Sequence, residues 1–298
     1  MPSPMTNTLP GATPAFTTLI GAIELRSLLA AGSARVVLLD CGFDLADAAA
    51  GERAYAKAHL PGARYVHLER ELSGAKTGSN GRHPLPPRAA LAERAGAWGI
   101  APGVQVVCYD AQGMPYAARA WWLLRWLGHR EVAVLDGGID AWVAAGGALG
   151  DEAAAAAPQP PYPASAPAMP SVSAAELLAS LGQRAVLDAR AGERFRGEIE
   201  PLDAVAGHIP GAHHRFFKHN LQADGRYKPA SVLRSEFAAL GVDAAQPLAQ
   251  WVHQCGSGVT ACHNLLAMEH AGLAGSALYP GSWSEWCADP QRPVARGA

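Results

Sequence analysis

The strongest constraint on this chain is that its two halves repeat each other. Three features recur in the same order: an apolar run ending in Asp, a His-x-Pro-Gly-Ala block, and a glycine turn followed five residues later by Trp. The matched pairs are Asp40 with Asp188, His59 with His208, and Gly137 with Gly281, separated by 148, 149 and 144 residues. Agreement in three separated blocks at nearly constant spacing indicates duplicated domains.

The duplication divides the chain into two domains and a connection. Residues 148–170 are rich in Ala and Pro and have little periodicity, which is typical of a semi-rigid linker. We therefore predict a first domain over residues 17–147 and a second over residues 171–298. Residues 1–16 are predicted to form a flexible N-terminal extension. A length of 298 residues is enough for two domains of ordinary size.

Short apolar strands alternate with helical stretches in each half. In the first half, residues 104–109 and 131–135 have the composition of strands, and residues 117–127 have that of a helix. This alternation predicts an α/β fold in which each domain has a mainly parallel central sheet flanked by helices. Ligands of such sheets bind at the carboxyl ends of the strands.

A cysteine stands at such a strand end in the second half. Cys255 opens the run Cys-Gly-Ser-Gly-Val-Thr-Ala, between a strand-like stretch at 248–253 and a helical stretch at 263–270. The two glycines let the loop curl with its N–H groups pointing inward. The following helix start adds partial positive charge. The geometry predicts a nucleophilic cysteine that reacts as the thiolate, cradled by the loop amides.

The first half lacks this nucleophile. Alignment of the repeats places Asp110 where Cys255 stands, 145 residues earlier. We therefore predict one inactive and one catalytic copy, with the inactive copy helping to shape the cleft. His59 and His208 are the matching histidines of the two copies. Because the inactive copy has this histidine as well as the catalytic copy, we expect both to be structural.

Together these blocks resemble the tandem-domain rhodanese family of sulfurtransferases, in family order from about residue 17 to residue 293. The cysteine loop is similar to that of the 3-mercaptopyruvate sulfurtransferase branch. The thiosulfate branch typically has basic side chains where this chain has Gly256 and Ser257. The resemblance implies that Cys255 takes sulfur from 3-mercaptopyruvate or thiosulfate, holds it as a persulfide and passes it to cyanide, a thiol or a reduced thioredoxin-like protein. It implies no metal and no organic cofactor.

The resemblance also implies site residues. Ser257, His83 and Glu69 would form a hydroxyl–imidazole–carboxylate chain that protonates the enolate left when sulfur departs. Arg194 would hold the donor anion. The substrate-binding loop residues would be Gly256, Gly258, Val259, Thr260 and Ala261.

One family feature is missing near Arg194. A second, carboxylate-binding arginine usually follows a Glu-Pro pair, where this chain has Leu202. Arg196 could take its place if it turns inward.

Composition limits the partners. The net charge is −2, which gives no support for a nucleic-acid or membrane-surface partner. No apolar run approaches the roughly 18 residues of a spanning helix. Five cysteines, an odd number, do not indicate a disulfide framework, so we expect the reducing cytoplasm. The duplication within one chain predicts a monomer.

Rival functions remain at this point. A non-catalytic sulfur-carrying or regulatory rhodanese module is compatible with one inactive copy. A cysteine phosphatase would need an arginine six residues after the nucleophile, where Ala261 stands. A cysteine protease is disfavoured because no oxyanion donor motif is readable. Zinc is disfavoured because His253, Cys255 and Cys262 lack the spacing of paired ligands.

Overall fold

The computed structural model describes residues 15–32, 35–152, 157–245 and 247–297. The N-terminal extension predicted over residues 1–16 lies almost entirely outside these ranges. Within them the chain forms two α/β domains, each built on a parallel sheet. The predicted fold class is therefore confirmed.

The first domain contains a five-stranded, all-parallel sheet. Its strands are β1 (Leu19–Ile20), β2 (Val36–Asp40), β3 (Arg64–Tyr65), β4 (Gln105–Tyr109) and β5 (Val132–Leu135). Their order across the sheet is β1-β5-β4-β2-β3. The helices are α1 (Ala22–Ala31), α2 (Ala50–Lys57), α3 (Arg88–Ala97), α4 (Pro115–Leu127) and α5 (Gly138–Ala144). Every residue of β4 is buried, because helices cover both faces of a parallel sheet and its central strands are continuous apolar runs.

The second domain repeats this plan with a four-stranded sheet. Its strands are β6 (Ala185–Asp188), β7 (His213–His214), β8 (Trp251–Gln254) and β9 (Ala277–Leu278), in the order β7-β6-β8-β9. Its helices are α6 (Ala174–Ala179), α7 (Gly192–Phe195), α8 (Ala230–Ala239), α9 (Thr260–His270) and α10 (Ser282–Trp286). None of the helices within the described ranges is long and apolar enough to cross a membrane.

The strand before the cysteine starts later than the sequence predicts. Leu248–Gln250 form a 3-10 turn, and β8 begins at Trp251. Pro247 precedes the turn with φ −60°, a value that its ring fixes and that suits the start of a turn. Helix α9 begins at Thr260, directly after the cysteine loop and three residues before the predicted helical stretch.

The two domains share a hydrophobic core. Helices α4 and α9 pack against each other, and their buried side chains belong to one continuous cluster. Trp121 and Trp122 from α4 and Leu265 and Met268 from α9 are members of this cluster. Full burial of such side chains stabilises by about 1.5–3 kcal/mol each. The shared core fixes the loops of one domain against the other.

The Ala/Pro-rich connection is fastened to the first domain. The N–H of Gln159 donates to the carbonyl of Gly96 at 2.8 Å, and the N–H of Tyr162 donates to the carbonyl of Ala92 at 2.9 Å. The Tyr162 ring lies edge-on to His129, with 5.4 Å between the ring centroids. The described part of the linker therefore follows helix α3 as a bound strap.

The repeated histidines have the same structural task in both copies. His59 stacks on Tyr55 and His208 stacks on Phe195, each with 3.9 Å between ring centroids. Nδ1 of each ring hydrogen-bonds the carbonyl of the residue on which it stacks, at 2.7 and 2.8 Å. Each histidine therefore ties a turn to the preceding helix, as its occurrence in both copies predicted.

We predict that the free energy of unfolding falls in mild acid, because three histidines are buried. Burial lowers the pKa of His83, His253 and His263 to about 3. The unfolded chain takes up their protons near pH 6.5, whereas the folded chain does so only near pH 3, so stability present at neutral pH is lost as the pH falls. Between pH 7.5 and 6 the loss is about 0.8 kcal/mol for each histidine.

Urea titrations at these two pH values would measure this loss. The interval stops at pH 6 because burial raises the pKa of Asp110 to about 6. Proton uptake by this carboxyl stabilises the folded chain as the pH falls, and it already offsets about 0.4 kcal/mol of the loss at pH 6. Replacing His253 with Gln, which does not ionise, should reduce the loss by about 0.8 kcal/mol. A free energy of unfolding that stays constant or rises from pH 7.5 to 6 would contradict the assignment.

Candidate active site

Cys255 lies at the carboxyl end of β8, in the loop that leads into α9. Its side chain is buried, and Sγ accepts a hydrogen bond from the N–H of Gly258 at 3.2 Å. Helix α9 begins five residues later at Thr260, so its partial positive end borders the same loop. The sulfur is thus held against a loop amide next to a helix start, as the sequence predicted.

Gly258 is required by the loop geometry. Its φ is +76°, in the left-handed region that favours glycine. A Cβ at this position would overlap the carbonyl of Pro280. With no side chain, the backbone can turn its N–H towards Cys255.

The start of α10 supports the loop from behind. The hydroxyl of Ser282 accepts a hydrogen bond from the N–H of Cys255 at 3.1 Å. The carbonyls of Cys255 and Gly256 accept from the N–H groups of Trp283 and Ser284, at 2.9 and 3.0 Å. Ser282 has φ 54°, a value uncommon outside glycine. The repeated glycine turn in the sequence marks this segment but gives no sign of this role.

The equivalent loop of the first domain binds its own anion. The Asp110 carboxylate accepts hydrogen bonds from four N–H groups at 2.7 to 3.0 Å, two in the loop (Gln112 and Met114) and two in the first turn of α4 (Tyr116 and Ala117). Burial raises the pKa of Asp110 to about 6, although these N–H groups act to lower it. The loop fold shared by the two copies is therefore built to surround an anion.

The predicted Ser257–His83 pair is formed across the domain interface. Nδ1 of His83 lies 2.8 Å from Oγ of Ser257, and both side chains are buried. Burial, followed by the positive charges of Arg119, Lys76 and Arg82, lowers the pKa of His83 to about 3. The imidazole is therefore neutral at physiological pH.

Glu69 lies near this pair without a hydrogen bond to it. Its Oε1 is 3.8 Å from Nε2 of His83, which is beyond hydrogen-bond distance. The same oxygen binds Nζ of Lys76 at 2.6 Å. Lys76 therefore competes with His83 for the Glu69 carboxylate, which is partly exposed. The structure thus brings two members of the predicted chain together and leaves the third adjacent.

Arg119 is a buried site residue that sequence analysis missed. Its guanidinium donates to the carbonyls of Gly258 and His83, both at 3.1 Å. Among the described residues no carboxylate lies within ion-pair distance of it. The buried guanidinium therefore stands beside the cysteine loop. The available signal was a single arginine inside the apolar stretch that forms α4.

Arg194 lies at the cleft, as the resemblance implied. Its Nε and Nη2 bind Glu200 at 3.1 and 2.6 Å, and Nη2 also lies 3.2 Å from Asp203. Arg190 is buried on Asp188 and stabilises the strand end behind the cleft.

Arg196 does not turn inward. Both its Nε and Nη2 bind Glu198, at 2.6 and 2.9 Å, and its side chain is 42% exposed. Arg196 therefore does not take the place of the missing arginine, because Glu198 holds it in solvent.

The cleft above Cys255 is formed by both domains. It encloses about 340 Å³. The first domain contributes Leu45, Arg82 and Tyr116, and the second contributes Arg194, Leu202 and Phe216. Both cationic and apolar side chains therefore border the thiol, which suits a small organic anion.

Metal ligands do not converge here. Over the described ranges, no group of three or more His, Cys, Asp or Glu side chains is placed to hold a metal ion. The histidines that flank the loop have other neighbours: His253 contacts the sulfur of Met268, and His263 contacts Asn220, both at 3.1 Å.

Comparison with known proteins identifies the family. The sequence profile of the rhodanese-like domain matches residues 22–145 and again residues 173–289, which together cover most of the chain. The chain belongs to the rhodanese family. The duplication, the two parallel sheets and the cysteine loop are thus features of a tandem rhodanese protein.

Relatives of this rhodanese chain include enzymes named for both sulfur donors. A probable 3-mercaptopyruvate sulfurtransferase of Pseudomonas aeruginosa is 50% identical over 266 residues, covering 88% of this chain and 93% of that protein. Thiosulfate sulfurtransferase of Bos taurus is 36% identical over 256 residues and covers 82% of each chain. The structure of 3-mercaptopyruvate sulfurtransferase from Leishmania major superposes with a TM-score of 0.80 at 31% identity, covering 93% of this chain and 76% of that one.

Proposed function

We propose that this chain is a sulfurtransferase that moves a sulfane sulfur from 3-mercaptopyruvate, or more slowly from thiosulfate, to a thiophilic acceptor through a Cys255 persulfide. The named relatives support the reaction class. The single observation that favours 3-mercaptopyruvate is the 2.8 Å pair between Ser257 and His83 beside the thiol. These two residues can supply the proton that only this donor needs.

In the first half-reaction the Cys255 thiolate attacks the sulfur of the donor. The new S–S bond forms while the C–S bond of 3-mercaptopyruvate breaks, and the bonding electrons leave on carbon as the pyruvate enolate. That enolate must gain a proton to become pyruvate. The Ser257 hydroxyl donates it, and His83 returns a proton to Ser257 through Nδ1.

A neutral His83 suits this step. Since burial lowers its pKa to about 3, the ring does not carry a positive charge at neutral pH. It can pass a proton by donating at Nδ1 while Nε2 takes up a proton from solvent water. We propose that Glu69, 3.8 Å from Nε2, assists on the outer side without a direct hydrogen bond. Thiosulfate releases sulfite, a stable anion, so its turnover needs no such proton.

The matching loop of the inactive copy supports the proposal that Cys255 carries a persulfide. The Asp110 carboxylate extends one bond further from its Cα than a thiol sulfur does, and four N–H groups of the loop and of the first turn of α4 surround it. By the repeat, the outer sulfur of a Cys255 persulfide would occupy the matching place. We propose that the amides between Gly256 and Ala261 stabilise this anion, as they do the thiolate.

In the second half-reaction the acceptor removes the outer sulfur. Cyanide, a small thiol or a reduced thioredoxin-like protein attacks it, and Cys255 leaves as the thiolate, which is ready for the next donor. No metal or organic cofactor takes part in this scheme. We propose a monomer, since both halves of the site come from one chain. Five free, buried cysteines support a cytoplasmic location.

A donor comparison with cyanide as acceptor tests the proposal. We expect thiocyanate from both donors, with kcat/KM for 3-mercaptopyruvate at least about 10-fold above that for thiosulfate, because acid–base assistance contributes about 100-fold or more to such steps. The reverse order would overturn the donor preference. No thiocyanate from either donor would favour the non-catalytic sulfur carrier.

A further inference from the structure

The repeated Asp of each domain holds the same backbone turn. The N–H of Gly42 donates to Oδ1 of Asp40, and the N–H of Arg190 donates to Oδ1 of Asp188, both at 2.9 Å. Each Asp ends its strand in register with the last residue of the neighbouring strand, β4 or β8. The two turns therefore match residue by residue, with Gly42 at the place of Arg190.

In the second domain a guanidinium occupies the space beside this Asp. Nε of Arg190 lies 3.1 Å from both carboxylate oxygens of Asp188, and Nη2 lies 2.7 Å from Oδ2. Nη2 also donates to the carbonyl of Gly207 at 2.8 Å. Cζ of Arg190 lies over the ring of Trp283, 4.7 Å from its centroid. A carboxylate, a carbonyl and an apolar wall thus enclose the guanidinium.

The first domain has a cavity at the corresponding place. Gly42 supplies no side chain there, and the cavity encloses about 210 Å³. Its lining includes the counterparts of the three residues that hold Arg190, namely Asp40 for Asp188, Ala58 for Gly207 and Ile139 for Trp283. The surroundings of Arg190 therefore recur in the first domain without the arginine.

Asp40 has no cationic side chain as a partner. It is only 7% exposed, yet over the described ranges no Lys, Arg or His side chain lies within ion-pair distance of it. Burial raises the pKa of this carboxyl. A second, exposed carboxylate, that of Asp44, also lines the cavity. Because a buried carboxylate is unfavourable without a charged partner, the cavity favours a cation.

We propose that this cavity binds a guanidinium group, with Asp40 accepting its N–H donors as Asp188 accepts those of Arg190. The planar fork of a guanidinium matches a carboxylate better than an ammonium does. Tyr55 and Tyr109 also line the cavity, and aromatic rings attract cations. The guanidinium belongs either to a small free compound or to an arginine side chain of another polypeptide, since both offer the same chemistry to Asp40. A ligand of few atoms should bind here with a Kd of about 1 mM.

Saturation-transfer NMR with methylguanidinium tests the site without sulfur transfer, so its outcome is independent of the proposed function. The methyl signal reports contact with the protein, and N-methylurea has the same shape without the charge. We expect wild-type protein to bind methylguanidinium with a Kd of about 1 mM and N-methylurea at least about 10-fold more weakly, because the neutral probe lacks the charge-assisted pair with Asp40. No saturation transfer to methylguanidinium, or equal transfer to both probes, would overturn the proposal.

Two variants test whether the cation lies in this cavity. Gly42→Arg supplies the guanidinium from the chain itself and should abolish methylguanidinium binding. Because a Cβ on Gly42 would lie 3.1 Å from Oδ1 of Asp40, a close contact, Asp40→Asn is the second variant. Asn keeps an acceptor for the Gly42 N–H, and loss of the charge should weaken binding at least about 10-fold. Asp224→Asn removes the same charge from an exposed turn and should leave the Kd unchanged.

A third probe, Nα-acetylarginine methylamide, distinguishes the two sources of the guanidinium. Affinity comparable to that of methylguanidinium would assign the site to an arginine side chain of a polypeptide. No binding of this probe, while methylguanidinium binds, would assign the site to a small free compound, and either result supports the proposal. If Asp40→Asn and Gly42→Arg keep the wild-type circular dichroism and the wild-type Kd for methylguanidinium, the cation binds elsewhere and the assignment is wrong.

Discussion

Replacing Cys255 with Ala is expected to abolish sulfur transfer from both donors while the fold persists. The nucleophile has no substitute, because Asp110 occupies the matching place in the first domain. Loss of a covalent nucleophile should lower the rate of thiocyanate formation by at least about 10,000-fold. The fold should survive since Gly258 and the start of α10 shape the loop through backbone contacts.

A matched variant distinguishes loss of the nucleophile from loss of a buried cysteine side chain. Cys108 is a buried cysteine of the first domain, in strand β4. Cys108→Ala should retain transfer although it loses at least as much stability as Cys255→Ala, since Cys108 lies in the core and Cys255 borders the cleft. Comparable activity in the Cys255 variant and the wild type would refute the nucleophile assignment.

Replacing His83 with Gln is expected to impair the two donors unequally. Turnover of 3-mercaptopyruvate should fall by about 100-fold or more, the usual contribution of acid–base assistance. Turnover of thiosulfate should fall by less than about 10-fold, because sulfite leaves without a proton. Steady-state kinetics with cyanide as acceptor would measure both losses.

The variant Ser257→Ala tests the same proton transfer from the other member of the pair. If Ser257 and His83 act as a unit, the double variant should be hardly slower with 3-mercaptopyruvate than either single one. Equal losses for the two donors in His83→Gln would argue against enolate protonation and for a structural role of the 2.8 Å contact.

The local pattern of apolar residues was sufficient to predict the fold. Strands β2 (Val36–Asp40) and β6 (Ala185–Asp188) each end at the Asp that closes the apolar run of the repeat. Buried parallel strands are continuous apolar runs, and the repeat showed each of them twice. The alternation of strands with helical stretches then fixed the layer arrangement, and Pro247 shifted only the start of β8.

Contacts between the domains could not be predicted in the same way. Arg82 and Arg119 are ordinary arginines until α4 and α9 pack together and bring them to the cysteine loop. Spacing from a repeat block placed Glu69 near His83, yet Lys76 competes for its carboxylate. Such outcomes depend on side-chain partners that are distant in sequence, and periodicity carries no information about them.

The most direct test of the central claim is the mass of Cys255 after one turnover. The wild type is mixed with one equivalent of 3-mercaptopyruvate, no acceptor is added, and pyruvate and peptide masses are measured together. We predict one pyruvate per chain and one added sulfur atom on the Cys255 peptide, which cyanide then removes as thiocyanate. Pyruvate released with no sulfur on Cys255, or with the sulfur on another cysteine, would contradict the account.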